Sequence, residues 1–84
     1  MKLKGYKKKV KIHDGHGYIY EFDNGFGASV VKHSGSYGSE KGLYEIAVLD
    51  SDGDLCYSTP ITDDVIGYAN EDKVLDTLHR IKSL

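Results

Sequence analysis

Three histidines before residue 34 have the side chains best suited to metal or acid–base chemistry. Neutral imidazole binds zinc and copper, and the spacing of His13 and His16 can bring two ring nitrogens together. Asp14 could add a carboxylate, and His33 could join if its strand neighbours theirs. His13 and His16 flank a predicted turn, where such residues are common without any metal. We therefore predict no metal site, and a metal-dependent hydrolase using His13, His16 and Asp14 is the third and weakest functional hypothesis.

Two acidic clusters resemble functional sites only in part. Residues 50–54, Asp-Ser-Asp-Gly-Asp, have the alternating carboxylates that calcium prefers, but the glycine is misplaced and Ile61 stands where an EF-hand loop has glutamate. Asp63 and Asp64 are adjacent, so their side chains point apart, and both suit the first turn of a helix. We predict a solvated hairpin turn at 50–54 and helix capping at 63–64.

A glycine-rich segment at 34–42 is too long and polar for a simple hairpin loop. It has no Walker pattern, because Lys41 precedes Gly42 and is not followed by Ser or Thr. Tyr37 lies at its centre, and tyrosine with serine and glycine is the mixture that recognition loops favour. An ordinary surface loop is the alternative. The predicted ligand- or partner-binding residues are His33, Ser36, Tyr37, Lys41 and Tyr68.

The N-terminal segment is strongly basic. Residues 1–12 contain six lysines and no acid, for a charge of +6, whereas residues 13–84 carry −8. Such a strand could bind phosphates, with sheet tyrosines stacking on bases, or it could be an edge strand that lysine protects from self-pairing. The residues for the nucleic-acid alternative are Lys7, Lys8, Lys9, Tyr18 and Tyr20.

The length of the chain excludes a dinucleotide-binding fold, a barrel enzyme and a multidomain assembly. A chain of 84 residues with 39% apolar residues forms one small domain, residues 1–84, with little room for an enclosed cofactor. We expect no cofactor and no enzymatic activity. Cys56 is the sole cysteine, and no apolar stretch matches a signal peptide or a membrane span, so we expect a cytoplasmic protein.

Periodicity and turn residues predict an α+β fold. We expect five short antiparallel strands within residues 6–59, at 6–12, 17–22, 26–33, 43–50 and 55–59, with turns at Asp14-Gly15 and Asn24-Gly25. Residues 62–84 should be helical: a single turn at 62–66, stopped by Gly67, and a helix from Glu71 to about Ser83, capped by Asn70. The helix should lie across one face of the sheet through an apolar stripe of Val74, Leu75, Leu78 and Ile81.

Several segments together resemble small uncharacterised proteins encoded by tailed bacteriophages and prophages. The likeness is carried by 42–49 (GLYEIAVL), 58–68 (STPITDDVIGY), 26–31 (FGASVV), the Tyr-Gly of the loop and the acidic closing helix, and it covers about residues 17–84. The basic first strand lies outside it. The resemblance implies an accessory protein that binds a host factor, such as a component of host defence, in the bacterial cytoplasm.

The leading hypothesis is therefore a small non-enzymatic binding protein of phage type that occupies a site on a host protein or holds a small ligand, with nucleic-acid binding as the alternative. A homodimer stays open, because small sheets with an exposed edge often pair across a two-fold axis.

Overall fold

The computed structural model describes residues 3–62 and 64–84, which form a five-stranded antiparallel sheet with one long helix on it. The strands lie in sequence order, and each pairs with the next through its register of backbone partners. The elements are β1 (Lys8–Ile12), β2 (Gly15–Glu21), β3 (Gly27–Lys32), β4 (Tyr44–Leu49), β5 (Ile66–Ala69) and α1 (Glu71–Lys82). The predicted α+β architecture is confirmed.

The turn between β2 and β3 forms where Asn24-Gly25 predicted it. Gly25 has a φ of 88°, a left-handed conformation that costs glycine little. The Phe22 N–H donates to the Phe26 carbonyl at 2.8 Å, which closes the hairpin. The Asn24 side chain also reaches the far end of the chain, as described below.

The turn between β1 and β2 differs from its prediction. His13, not Asp14 or Gly15, takes the left-handed conformation, with a φ of 53°. Gly15 is instead the first residue of β2, where an added Cβ would lie 1.8 Å from the Lys32 carbonyl oxygen. Glycine is therefore needed at this position for the close approach of β3 and not for the turn.

The fifth strand was predicted in the wrong place. Residues 55–59 form no strand beyond an isolated bridge between Leu49 and Leu55. The strand that pairs with β4 is Ile66–Ala69, in the segment predicted to be helical, because Ile66 and Ala69 have side chains that the core can bury. The Thr62 Oγ1 accepts from the Asp64 N–H at 3.1 Å, which is a local turn and not the start of a helix. Asp63 lies outside the described residues.

The core lies between α1 and one face of the sheet. Asn70 caps the helix as predicted, since its Oδ1 accepts from the Lys73 N–H at 2.8 Å. Leu75 is 43% exposed, contrary to the predicted stripe, and Thr77 is buried instead, with its hydroxyl donating to the Lys73 carbonyl. The shared core contains Tyr20, Ala28, Val30, Ile46 and Val48 from the sheet and Val74, Leu78 and Ile81 from the helix.

The described chain has a radius of gyration of 11.7 Å, which matches the value of about 12 Å expected for one domain of this length. No helix among the described residues is long and apolar enough to cross a membrane.

Candidate functional site

Two exposed tyrosines meet where the 33–43 loop touches β5. Tyr37 is 61% exposed and Tyr68 is 55% exposed, and the Tyr68 N–H donates to the Tyr37 carbonyl at 3.2 Å. The Lys41 ammonium lies 5.9 Å from the centroid of the Tyr68 ring, within the range of a cation–π contact. The structure thus brings together three of the five residues predicted for binding, and we call Tyr37, Lys41 and Tyr68 the tyrosine surface.

Tyr68 owes its exposure to a β-bulge. β4 and β5 pair as Tyr44 with Ala69 and Ile46 with Ile66, so two residues of β5 stand opposite the single residue Glu45. Tyr68 has a φ of 55°, and a bulky side chain in the left-handed region is a strained outlier. Bulges redirect side chains, and this one turns Tyr68 away from the core that Ile66 and Ala69 enter.

Two glycines allow the loop and the bulge to come this close. An added Cβ at Gly38 would lie 2.9 Å from the Cα of Tyr68, and one at Gly67 would lie 2.7 Å from the Cβ of Tyr37. Neither neighbour could move without shifting backbone, so larger residues would separate Tyr37 from Tyr68. The Tyr37 N–H also donates to Glu45 Oε1 at 3.1 Å, which ties the loop to β4.

The other two predicted binding residues support the start of the loop. Ser36 is 6% exposed, and its hydroxyl donates to the His33 carbonyl at 2.8 Å and accepts from the His33 N–H at 3.0 Å. His33 Nδ1 accepts from the Gly35 N–H at 3.0 Å. These side chains hold the 33–36 turn, and Ser36 is buried, unlike Tyr37, Lys41 and Tyr68.

The β1–β2 turn is joined to this same loop. Asp14 Oδ1 accepts from the Ser34 N–H at 2.9 Å, and this hydrogen bond is the main cause that lowers the pKa of Asp14 below its ordinary value. The His13 and His33 rings lie 5.2 Å apart between centroids, so two of the three histidines meet. His16 stands opposite Lys32 and lines one open groove with His33 and Asp14.

Among the described residues, three acidic side chains come close enough to share a cation. Single ligand atoms of Asp50, Asp52 and Asp54 lie within 4.8 Å of one another. Asp50 Oδ1 already accepts from the backbone N–H groups of Asp52 and Asp54, at 2.9 and 3.0 Å, as in an Asx turn. The carboxylate of Asp50 therefore stabilises the turn that the sequence predicts at residues 50–54.

The residues of the nucleic-acid alternative do not form one free surface, because several of them already contact other side chains or are buried. β1 is an edge strand, and Lys8 and Lys9 are exposed on it, but Lys7 forms an ion pair with Glu21. The Tyr18 ring is contacted by the Lys9 ammonium, 5.5 Å from its centroid, and by the Tyr6 ring at 5.0 Å. Tyr20 is 2% exposed, so it belongs to the core.

Sequence reasoning predicted Tyr37 and Tyr68 individually but missed the bulge that joins them. The available signal was the repeated pairing of glycine with tyrosine, Tyr37-Gly38 and Gly67-Tyr68, where each glycine faces the other segment. The search against family models, curated proteins and solved structures found no match for this chain.

Proposed function

We propose that this chain is a small non-enzymatic binding protein and that the tyrosine surface contacts its partner. The supporting observation is Tyr68, an exposed aromatic side chain held in a strained left-handed conformation at a bulge. Strain of this kind persists only where the surrounding structure imposes it, and it concentrates at functional positions.

A protein is the partner class that the surface favours over a small ligand. Tyr37 and Tyr68 project from an edge instead of lining an enclosed pocket, and exposed tyrosines on rigid backbone are typical centres of protein interfaces. Lys41 adds a positive charge over the Tyr68 ring, which favours an acidic or carbonyl-rich contact. The resemblance to phage-encoded proteins makes a host protein in the bacterial cytoplasm the partner to test first.

Nucleic-acid binding is the alternative outcome. The exposed lysines of β1 support it, but the covered Tyr18 ring and the buried Tyr20 leave little aromatic surface for bases. Any such binding would therefore rest on phosphate contacts and should weaken steeply between about 50 and about 200 mM salt.

The test is an affinity capture from bacterial lysate with and without nuclease, followed by reconstitution with the purified partner. We expect one stoichiometric protein to survive nuclease and to bind the Tyr37→Ala and Tyr68→Gly variants at least about tenfold more weakly. Tyr57→Ala is the matched control, because Tyr57 is also exposed, at 47%, but lies outside the tyrosine surface.

Three results would contradict the proposal. Loss of the captured material after nuclease treatment would indicate nucleic-acid binding through the lysines of β1. Equal loss of binding in Tyr57→Ala, or unfolding of Tyr37→Ala by circular dichroism, would show that Tyr37 and Tyr68 do not act as a specific contact surface.

A further inference from the structure

The helix covers only part of one face of the sheet. α1 packs mainly on β3, β4 and β5. On the same face of β1 and β2, Lys9 stands opposite Tyr18 and Lys11 stands opposite His16, and Tyr18 packs against the core. Lys9, Lys11 and His16 are exposed. The core side of the sheet therefore continues beyond the helix as a polar and accessible surface.

Basic side chains form a row across this surface. Lys11 of β1 stands opposite His16 of β2, and His16 stands opposite Lys32 of β3. Lys9 lies in the neighbouring row on the same face. We call Lys9, Lys11, His16 and Lys32 the basic patch. Like charges on neighbouring strands repel one another, so this arrangement costs stability that a bound anion would restore.

Protection of the sheet edge does not explain the basic patch. Lysines on an edge strand prevent self-pairing, and this accounts for Lys9 and Lys11 on β1. His16 and Lys32 belong to β2 and β3, which are interior strands. Lys32 is also half-buried. Basic residues on interior strands, on the side of the sheet that elsewhere forms the core, point to a ligand of opposite charge.

Aromatic rings hold two of the lysines without neutralising them. The Lys9 ammonium lies 5.5 Å from the centroid of the Tyr18 ring, and the Lys32 ammonium lies 4.7 Å from that of Tyr44. Cation–π contacts of this kind fix the position of an ammonium and leave its positive charge. Within residues 3–62 and 64–84, no carboxylate forms an ion pair with the basic patch. The patch is therefore charged and partly preorganised for an anion.

The spacing of the basic patch identifies the kind of anion. With strands about 4.8 Å apart, the backbones of Lys11 and Lys32 are about 10 Å apart, and Lys9 is about 7 Å from Lys11 along β1. Long side chains at these positions can converge on one ligand above His16. An extended acidic peptide along β1 would reach Lys9 and Lys11 but not Lys32, two strands away. The ligand must carry several negative charges close together, as a polyphosphate group does.

We infer that the basic patch binds a compact polyphosphate group, either as inorganic polyphosphate or as part of a nucleotide. The inference is independent of the proposed function, because the tyrosine surface lies at β5, at the other edge of the sheet, and shares no residue with the patch. It also differs from nucleic-acid binding by β1, since it depends on His16 and Lys32 of interior strands and needs no stacking on Tyr18.

Two acidic residues limit where the polyphosphate group can lie. Asp14 and Glu40 line the same open groove as His16 and Lys32. Asp14 Oδ1 already accepts from the Ser34 N–H, whereas Glu40 is exposed. Repulsion from these carboxylates directs the ligand toward β1. Glu40→Gln should therefore strengthen binding by about two- to fivefold.

The test is isothermal titration calorimetry of the purified protein with inorganic triphosphate at about 50 mM salt, where exposed charges are weakly screened. We expect one-to-one binding, and Lys11→Gln and Lys32→Gln should each weaken it about tenfold by removing one charged contact. Lys8→Gln is the matched control. It removes the same charge from β1, but Lys8 stands opposite Ile19 and points to the other face, so the affinity should change less than about twofold.

A substitution at the centre of the patch separates binding from folding. In His16→Glu, the new carboxylate would lie between Lys11 and Lys32 and take the place of the anion. Opposite charges on neighbouring strands are stabilising, so we expect an unchanged or higher Tm together with undetectable triphosphate binding. Full triphosphate binding by His16→Glu would overturn the inference.

Two further ligands identify the source of the polyphosphate group. ATP without divalent ions would bind more tightly than inorganic triphosphate if a nucleotide is the source, and equally tightly if the inorganic chain is. Oligothymidylate of the same net charge should bind more weakly than either, because its charges are spread along a chain. Three results would overturn the inference: no binding at about 1 mM triphosphate, equal weakening by Lys8→Gln and Lys32→Gln, or tighter binding of oligothymidylate, which would support nucleic-acid binding instead.

Discussion

Tyr20 and Tyr68 each occupy a position that is energetically unfavourable for a tyrosine. Tyr68 is exposed in a backbone conformation that favours glycine, while Tyr20 is buried with a hydroxyl that has no hydrogen-bond partner among residues 3–62 and 64–84. The sequence predicts that Tyr20 shares a face with Tyr18 and Phe22, which is confirmed by the contact between the Tyr20 and Phe22 rings and by the packing of Tyr18 and Phe22 against the core that contains Tyr20. It could not predict which ring is covered, because that depends on where Tyr6 and α1 settle.

The buried hydroxyl of Tyr20 should reduce the stability of the fold. Removing it in Tyr20→Phe eliminates an unpaired polar group, and we expect the free energy of unfolding to rise by about 1 kcal/mol. Chemical denaturation at pH 7 measures this change. Tyr57→Phe, at an exposed tyrosine, should change stability by less than about 0.5 kcal/mol.

The same residue should make the protein sensitive to alkali. Burial raises the pKa of Tyr20 above its ordinary value of 10.0, so the charged phenolate is disfavoured in the folded state. The stability that Tyr20 supports is therefore complete below pH 10 and falls as the pH rises above it. Tyr20→Phe should show a shallower loss of stability as the pH rises above 10, and an identical slope would contradict this account.

At the scale of elements, local signals predicted most of the fold and failed where two segments compete for one strand. Asn24-Gly25 and the Asn70 cap are determined by residues within a few positions of one another, and both are present. β5 depends on which segment can reach the Tyr44–Ile46 end of β4. Residues 55–59 contact the other end, at Val48 and Leu49, so Ile66–Ala69 completes the sheet.

The register of α1 on the sheet gives a matched pair of variants. Ile81 is fully buried and Leu75 is 43% exposed, although both belonged to one predicted stripe. Ile81→Ala should lower the free energy of unfolding by about 3 kcal/mol, and Leu75→Ala by less than about 1 kcal/mol. For a domain of this size the first loss corresponds to a decrease in Tm of about 12–24 °C. Similar losses in both variants would mean that the helix is rotated on the sheet.

At the scale of the whole molecule, one turn joins the middle of the sheet to the end of the chain. The Asn24 side-chain amide donates to the carbonyls of Ile81, Lys82 and Leu84, at 2.9, 3.1 and 3.2 Å. Carbonyls in the last turn of a helix have no partner within the helix, so a donor from elsewhere stabilises them. Asn24 was predicted only as a turn residue, since nothing nearby in sequence indicates contacts 57 to 60 residues away.

Asn24 should therefore contribute more stability than a turn residue alone. Asn24→Ala removes these contacts and the bond from the Phe26 N–H to Asn24 Oδ1, and we expect a loss of about 1–2 kcal/mol. Asn24→Asp keeps an acceptor for Phe26 but places a negative charge against the carbonyl end of α1, so it should lose at least as much at pH 7. Thermal and chemical unfolding measure both, with Asp23→Ala as the neighbouring control. If Asn24→Asp were as stable as the unmodified protein, Asn24 would act through the turn alone, and α1 would be held to the sheet by its apolar face.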